Sequence, residues 1–159
     1  MLKLKVFILF LTITSIFCIN IGYADNSELP LLGKVIYIDP GHGGTDPGAI
    51  YKDIHEADIN LSISKKLYNI LLKNGAIVYL TRDGDYDLSV TNAINRKRSD
   101  LSRRANAINS SMCDMYISIH LNAESSSTWH GAQVFYDDIN PENKKIAEIM
   151  QTEFSKALK

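Results

Sequence analysis

Apolar and polar positions along the chain divide it into a leader and an alternating body. Lys3 and Lys5 precede residues 6–21, an apolar run interrupted only by Thr, Ser, Cys and Asn, and Gly22-Tyr23-Ala24 follows with small residues at alternate positions. That layout predicts a secretory signal peptide over residues 1–24, cleaved after Ala24, with an uncleaved membrane anchor as the alternative. Residues 25–32 read as a short polar lead-in.

From residue 34 onward, runs of strand length alternate with stretches of helical period. Residues 34–38 (KVIYI) predict a first strand that ends at Asp39-Pro40-Gly41-His42-Gly43-Gly44, and the glycines up to Gly48 demand a loop. Ile59, Ile63, Leu67, Ile70 and Leu71 recur at helical spacing, which predicts a helix over 56–73. Asn74-Gly75 supplies its stop signal. Residues 76–81 (AIVYLT) form a second expected strand. Residues 82–100 are polar without a steady period and read as a long loop, the kind usually tied to function or mobility. A short helix is expected over 101–109, a third strand over 115–120 (MYISIH) and a fourth over 131–136 (GAQVFY). Asn140-Pro141 is an N-cap with proline at the first helical position. It opens a last helix with Ile146, Ile149, Met150, Phe154, Ala157 and Leu158 on one face. The alternation predicts an α/β fold, a largely parallel sheet flanked by helices. In such sheets ligands bind at the carboxyl ends of the strands.

Composition narrows the function classes. The 159 residues carry 17 Lys+Arg against 18 Asp+Glu, with 45% hydrophobic and 22% charged positions. These are ordinary globular values that exclude a disordered, collagenous or disulfide-scaffold chain. A formal charge of −1 gives no basic excess for neutralising phosphates, so nucleic acid is not an expected partner. Of the two cysteines, Cys18 lies in the leader; Cys113 is left alone without a disulfide partner and reads as a small core or boundary residue. The glycines around His42 complete neither GxGxxG nor GxxxxGK[ST], which argues against nucleotide binding.

Candidate chemistry gathers at one sheet edge. His42 lies just past the first strand and His120 closes the third. Glu56 opens the helix after the first strand, which must start at that same edge. If the two strands are neighbours, two imidazoles and a carboxylate converge, a known ligand set for catalytic zinc with a fourth position open. Each residue also has a plain structural reading: a hydrogen-bonded histidine at a strand end, or a glutamate complementing the helix dipole. His55 points to a different helix face from Glu56, and His130, beside Trp129, is expected in solvent. Arg96-Lys97-Arg98 and Arg103-Arg104 read as a solvated basic face.

At these residues the sequence resembles a family. Residues 35–44 (VIYIDPGHGG) with Asp46-Pro47-Gly48-Ala49 look like the opening motif of the zinc-dependent N-acetylmuramoyl-L-alanine amidases. Glu56-Ala57-Asp58-Ile59-Asn60-Leu61, Leu80-Thr81-Arg82 and residues 118–123 (SIHLNA) resemble the second, third and fourth motifs, in the same order. The match spans nearly all of residues 33–159, expected to be the catalytic domain, and is most similar to the sporulation and germination-specific branch. The resemblance implies one zinc ion held by His42, Glu56 and His120. It implies hydrolysis, in peptidoglycan, of the amide between the lactyl group of N-acetylmuramic acid and L-alanine. In that branch the reaction strips peptide from spore-cortex muramic acid, a step toward muramic δ-lactam. It also implies export to the cell wall or spore-envelope space, with membrane association only through the N-terminal segment. No protein partner is specified.

The family also carries a glutamate on a later strand, in a motif like V-E-x-G-F, as general base. No such motif occurs in these residues. The expectation is a catalytic domain incomplete at its C-terminus, with Glu124, just after the third strand, as the in-chain stand-in for the base. A non-catalytic, zinc-containing wall-binding module or an inactive fragment is the alternative.

Overall fold

A computed structural model describes residues 29–121 and 131–158. The leader at 1–24, Glu124, Trp129 and His130 lie outside them. The chain divides after Leu121 into two compact units.

The first unit contains β1 (Val35–Pro40), β2 (Ile50–Tyr51), β3 (Ile54–His55), α1 (Glu56–Lys73), β4 (Ile77–Leu80), α2 (Arg96–Ser110) and β5 (Met115–Ile119). β1 is the centre of a three-stranded sheet, ordered β4-β1-β5, and both pairings are parallel. Ile38 stands beside Leu80 on one side and Ile117 on the other. Because strand side chains alternate in direction, Ile36 and Ile38 share the inward face with Val78, while Tyr37 and Tyr79 turn the other way and stack at 5.7 Å between ring centroids. Leu67, Tyr68 and Leu71 of α1 pack against the Ile36, Ile38, Ala76 and Val78 cluster. Burying a side chain of this size is worth about 1.5–3 kcal/mol, so this cluster anchors α1 to the sheet.

The phase of α1 differs from the apolar spacing. Ala57, Asn60 and Ser64 are buried, whereas Ile63 and Ile70 are 40% and 57% exposed. Hydrogen bonds from the Asn60 carboxamide to Gly41 and Glu56 fix the rotation of the first turns, and this outweighs the isoleucines. Acidic Glu56 and Asp58 in the first turn and Lys73 in the last complement the helix dipole.

Three further corrections follow from local chemistry. α2 starts at Arg96 rather than 101, because the Asn95 side chain accepts from the Arg98 N–H and caps a helix whose first turns are too polar to show an apolar period. Its early start shortens the expected loop. Between Gly48 and Glu56 lies an antiparallel ribbon, β2 with β3, turned through Lys52 at φ 54°. With two residues in each strand, it carries no readable alternation. Residues 131–136 do not form the expected fourth strand among the described residues. Their polar backbone is met instead by a side chain: Gln151 accepts from the Val134 N–H at 2.9 Å and donates to the Ala132 carbonyl at 3.0 Å.

The second unit is built on α3 (Pro141–Ala157), capped as expected by Asn140, whose Oδ1 accepts from the Glu142 N–H at 3.0 Å. Ala147 is its buried residue, while Ile149, Phe154 and Leu158 of the expected apolar face are exposed.

Candidate metal centre

The β1–β5 pairing aligns Pro40 with Ile119, and the Gly41 N–H extends the ladder by donating to the Ile119 carbonyl at 2.9 Å. His42 and His120 therefore leave adjacent strands at the same height. Glu56 reaches that edge because the Glu56 N–H donates to Ala49 and the Ala57 N–H to Pro47, pinning the start of α1 against the loop after β1. Glu56 Oε1 lies 3.3 Å from His42 Nε2 and 3.3 Å from His120 Nδ1. The two imidazoles meet edge to face, 4.8 Å between centroids. One donor atom from each of the three residues falls within 4.8 Å of the other two.

Hydrogen bonds from backbone donors keep Glu56 ionised. Burial alone would raise its pKa. The Ala49 N–H on Oε2 and the Leu121 N–H on Oε1, both at 2.9 Å, together with the Asn60 amide, outweigh burial and hold the carboxyl below its ordinary range. Asp46, which the sequence reading places in the opening motif without a role, orients His42: its Oδ2 lies 3.1 Å from Nδ1. Burial works against the charge of Asp46 too, but the bonds from His42 and the Gly48 N–H lower its pKa on balance. An Nδ1–H donated to Asp46 would leave the Nε2 lone pair for a metal, the arrangement that supports a metal-bound histidine.

The two histidine–glutamate separations fit a zinc-like ion. Two donors each about 2.0–2.1 Å from a tetrahedral centre stand about 3.3–3.4 Å apart, which matches both histidine–Glu56 separations. The surrounding glycines leave that space. A Cβ on Gly41 would lie 2.3 Å from the His120 ring, and one on Gly48 would lie 2.7 Å from both Glu56 Oε2 and His42 Cδ2. Gly48 also sits at φ 70°, where a side chain is strained.

Arg96, Lys97, Arg98 and Arg103 of the basic stretch are exposed as expected, and Arg104 is the correction. Arg104, which the sequence pattern assigns to a solvated face, is 4% exposed, and Arg82 is 1% exposed. Arg104 bonds Asp39, Asp100, the Pro40 carbonyl and the His42 carbonyl, each at 2.7–2.8 Å. Arg82 bonds the carbonyls of Pro40, Gly41, Ala57 and Gly84. The readable signal is indirect: these arginines follow or face a motif that ends in consecutive backbone carbonyls needing donors. Arg96 pairs with Asp87 at 2.8 Å, and Lys97 is exposed. His55 is exposed at the N-cap of α1, 3.9 Å from Asp58, and Cys113 is half-buried and free.

Comparison with known proteins places this arrangement. The germination-specific N-acetylmuramoyl-L-alanine amidase of Bacillus subtilis is 43% identical over 134 residues, covering 82% of this chain and 56% of the relative. The amidase LytC of the same organism is 35% identical over 130 residues, covering 80% of this chain and 24% of its own length. Among solved structures, the Clostridioides difficile CwlD amidase, determined in complex with the GerS lipoprotein, superposes with a TM-score of 0.73 at 36% identity, covering 77% of this chain and 66% of that one. The catalytic domain of CwlV from Bacillus (Paenibacillus) polymyxa superposes with a TM-score of 0.62 at 30% identity, covering 75% and 61%. The chain thus spans about half the length of the germination-specific relative. The family model Amidase_3, described as N-acetylmuramoyl-L-alanine amidase, matches residues 36–159, from the first strand through the last helix, and the chain belongs to that family.

Proposed function

We propose that this chain is a zinc-dependent N-acetylmuramoyl-L-alanine amidase. Its substrate would be peptidoglycan, with spore cortex as the expected wall, and the bond cut is the amide between the muramic lactyl group and L-alanine. The observation that carries the proposal is the convergence of His42, Glu56 and His120 at one sheet edge, in a chain whose relatives bear that activity. In this reading His42, Glu56 and His120 hold the ion. Bound zinc supplies Lewis-acid polarisation of the scissile carbonyl.

The remaining work falls to the chain. Asp46 orients the His42 ring through Nδ1, which would leave Nε2 available to the ion. The backbone N–H groups of Ala49 and Leu121 hold Glu56 as a carboxylate. His120, half exposed, leaves one side of the cluster open to solvent, as a polymeric substrate requires. Glu124 is the in-chain candidate for the general base, a role typically worth about 10²–10⁴-fold in rate. Glu142, Glu148 and Glu153 instead pair with Lys145, Lys144 and Lys156 along α3. Residues 1–24 direct the chain out of the cytoplasm, where the wall lies; the cell-wall role in the printed name of the Staphylococcus aureus relative LytH supports that placement.

The test is release of L-alanine amino groups from purified peptidoglycan by the zinc-loaded full chain beside His42→Ala. Metal-dependent release that His42→Ala abolishes is expected. Wall binding and one bound zinc without release would replace this reading with a non-catalytic wall-binding module. Release that survives His42→Ala would overturn the ligand assignment.

A further inference from the structure

Three consecutive carbonyls lead into and include the first ligand, and each is held by a buried cation. The Pro40 carbonyl accepts from Arg82 Nε at 2.9 Å and from Arg104 Nη1 at 2.8 Å. The Gly41 carbonyl accepts from Arg82 Nη2 at 2.9 Å and from Asn60 at 3.3 Å. The His42 carbonyl accepts from Arg104 Nη2 at 2.7 Å. The same Arg82 Nη2 also bonds the Ala57 carbonyl at 2.8 Å, next to the second ligand, Glu56.

Asp39 extends the lattice to the third ligand. Its Oδ1 accepts from Thr81 at 2.6 Å and from Arg104 at 2.8 Å, and its Oδ2 accepts from Ser118 at 3.0 Å, two residues before His120. One hydrogen-bonded unit therefore touches the backbone at His42 and beside Glu56 and the Ser118 side chain two residues before His120, and both guanidinium groups are almost wholly out of solvent.

The carbonyls so held lie in a glycine-rich segment whose N–H groups are tied elsewhere, that of Gly41 to Ile119, that of Gly43 to Asp46 and that of Gly44 to Asp85. Gly41, Gly43, Gly44 and Gly48 surround His42, which itself adopts φ 63°, a left-handed conformation unusual for a residue with a side chain. A ligand on such a loop would have to be ordered at the moment of binding, at the expense of affinity. Planar guanidinium groups have several donors at fixed angles and can bridge successive carbonyls; an ammonium cannot match that geometry.

We propose that Arg82 and Arg104 are positioning residues for the metal: through Pro40, Gly41, His42 and Asp39 they preset the separation of His42, Glu56 and His120 before any ion binds. The inference rests on the metal reading above and adds which residues set its affinity.

The test compares zinc dissociation constants, by competition with a chromophoric chelator, for the full chain, Arg104→Lys, Arg82→Lys and Val78→Ala. Val78 lies in the apolar cluster away from the lattice, so Val78→Ala reports what loss of stability alone does. Each lysine variant is expected to bind zinc about tenfold more weakly or worse, the scale seen when supporting partners of ligands are lost. Val78→Ala is expected to lower the melting temperature and keep the wild-type constant. Lysine variants that fold and bind like wild type, or a Val78→Ala loss equal to theirs, would overturn the proposal. Should both lysine variants fail to fold, Ser118→Ala, which removes only the tie between Asp39 and the His120 strand, decides: weaker binding supports the lattice and wild-type binding overturns it. A wild-type chain that binds no zinc would overturn the metal reading itself, and this inference with it.

Discussion

At its amino end, β1 is buried by hydrocarbon: Ile36 and Ile38 sit among Val78, Ala76 and the leucines of α1. At its carboxyl end Asp39 and Pro40 are buried too, yet their neighbours are two guanidinium groups, a threonine and a serine. The same strand thus uses two kinds of interior. Apolar packing is non-directional and accepts any side chains of the right volume. Charge-assisted hydrogen bonds fix angles as well as distances. The second kind stands where two candidate ligands must be held about 3.3 Å from a shared carboxylate oxygen. The polar interior serves geometry, and the apolar one serves stability.

The comparison breaks most visibly at the ligands. Glu56→Ala removes the oxygen facing both imidazoles, and zinc affinity is expected to fall more than about 100-fold, beyond the range for supporting partners; titration calorimetry with zinc measures it. Next come paired substitutions at the two ends of β1. Asp39→Ala strands part of the buried Arg104 charge, with an expected cost of about 3–5 kcal/mol in urea unfolding and weaker zinc binding by the protein that folds. Ile38→Ala leaves a cavity costing about 2–5 kcal/mol and is expected to leave the zinc constant of the folded protein unchanged. Equal effects of the two on zinc affinity would erase the distinction between the ends.

The smallest expected effect lies in the loop beside the site. Asp87 accepts from Ser89, from Arg96 and from Thr45, which together hold its carboxyl far below the ordinary range. A depressed folded pKa gives stability that is present above the unfolded value, about 3.9, and is lost as pH falls through the folded value. Acid unfolding of the wild type should therefore draw on this group below about pH 4. Arg96→Met should cost about 1 kcal/mol at neutral pH, the scale of a partly exposed pair, with the difference narrowing as Asp87 protonates. A difference that stays constant down to strong acid would show that Arg96 acts through packing instead.

Much of this architecture is legible in the amino-acid sequence. The strands at 34–38, 76–81 and 115–120 and the helix from Glu56 announce themselves through runs and periods, and their order implies the parallel sheet that brings His42 and His120 side by side. Glu56 is legible because a helix after a strand must begin at that strand's carboxyl edge. The illegible parts have a common physical origin: they depend on partners or caps that no apolar period reveals. Arg104 sits in a run of basic residues that reads as surface, and only the carbonyls of Pro40 and His42 give it a reason to be buried. Residues 131–136 have strand composition, but a ladder needs a neighbouring strand, and here the Gln151 side chain takes that role. The start of α2 escapes a periodicity reading because capping by Asn95 defines it.

The central claim is that one zinc-like ion sits between His42, Glu56 and His120. Anomalous difference density from a zinc-soaked crystal of the full chain, collected above and below the zinc absorption edge, tests it most directly. The account predicts a single strong peak bounded by His42 Nε2, a Glu56 carboxylate oxygen and a His120 ring nitrogen. A peak held by other residues, or none at this edge of the sheet in a crystal with zinc bound elsewhere, would contradict it.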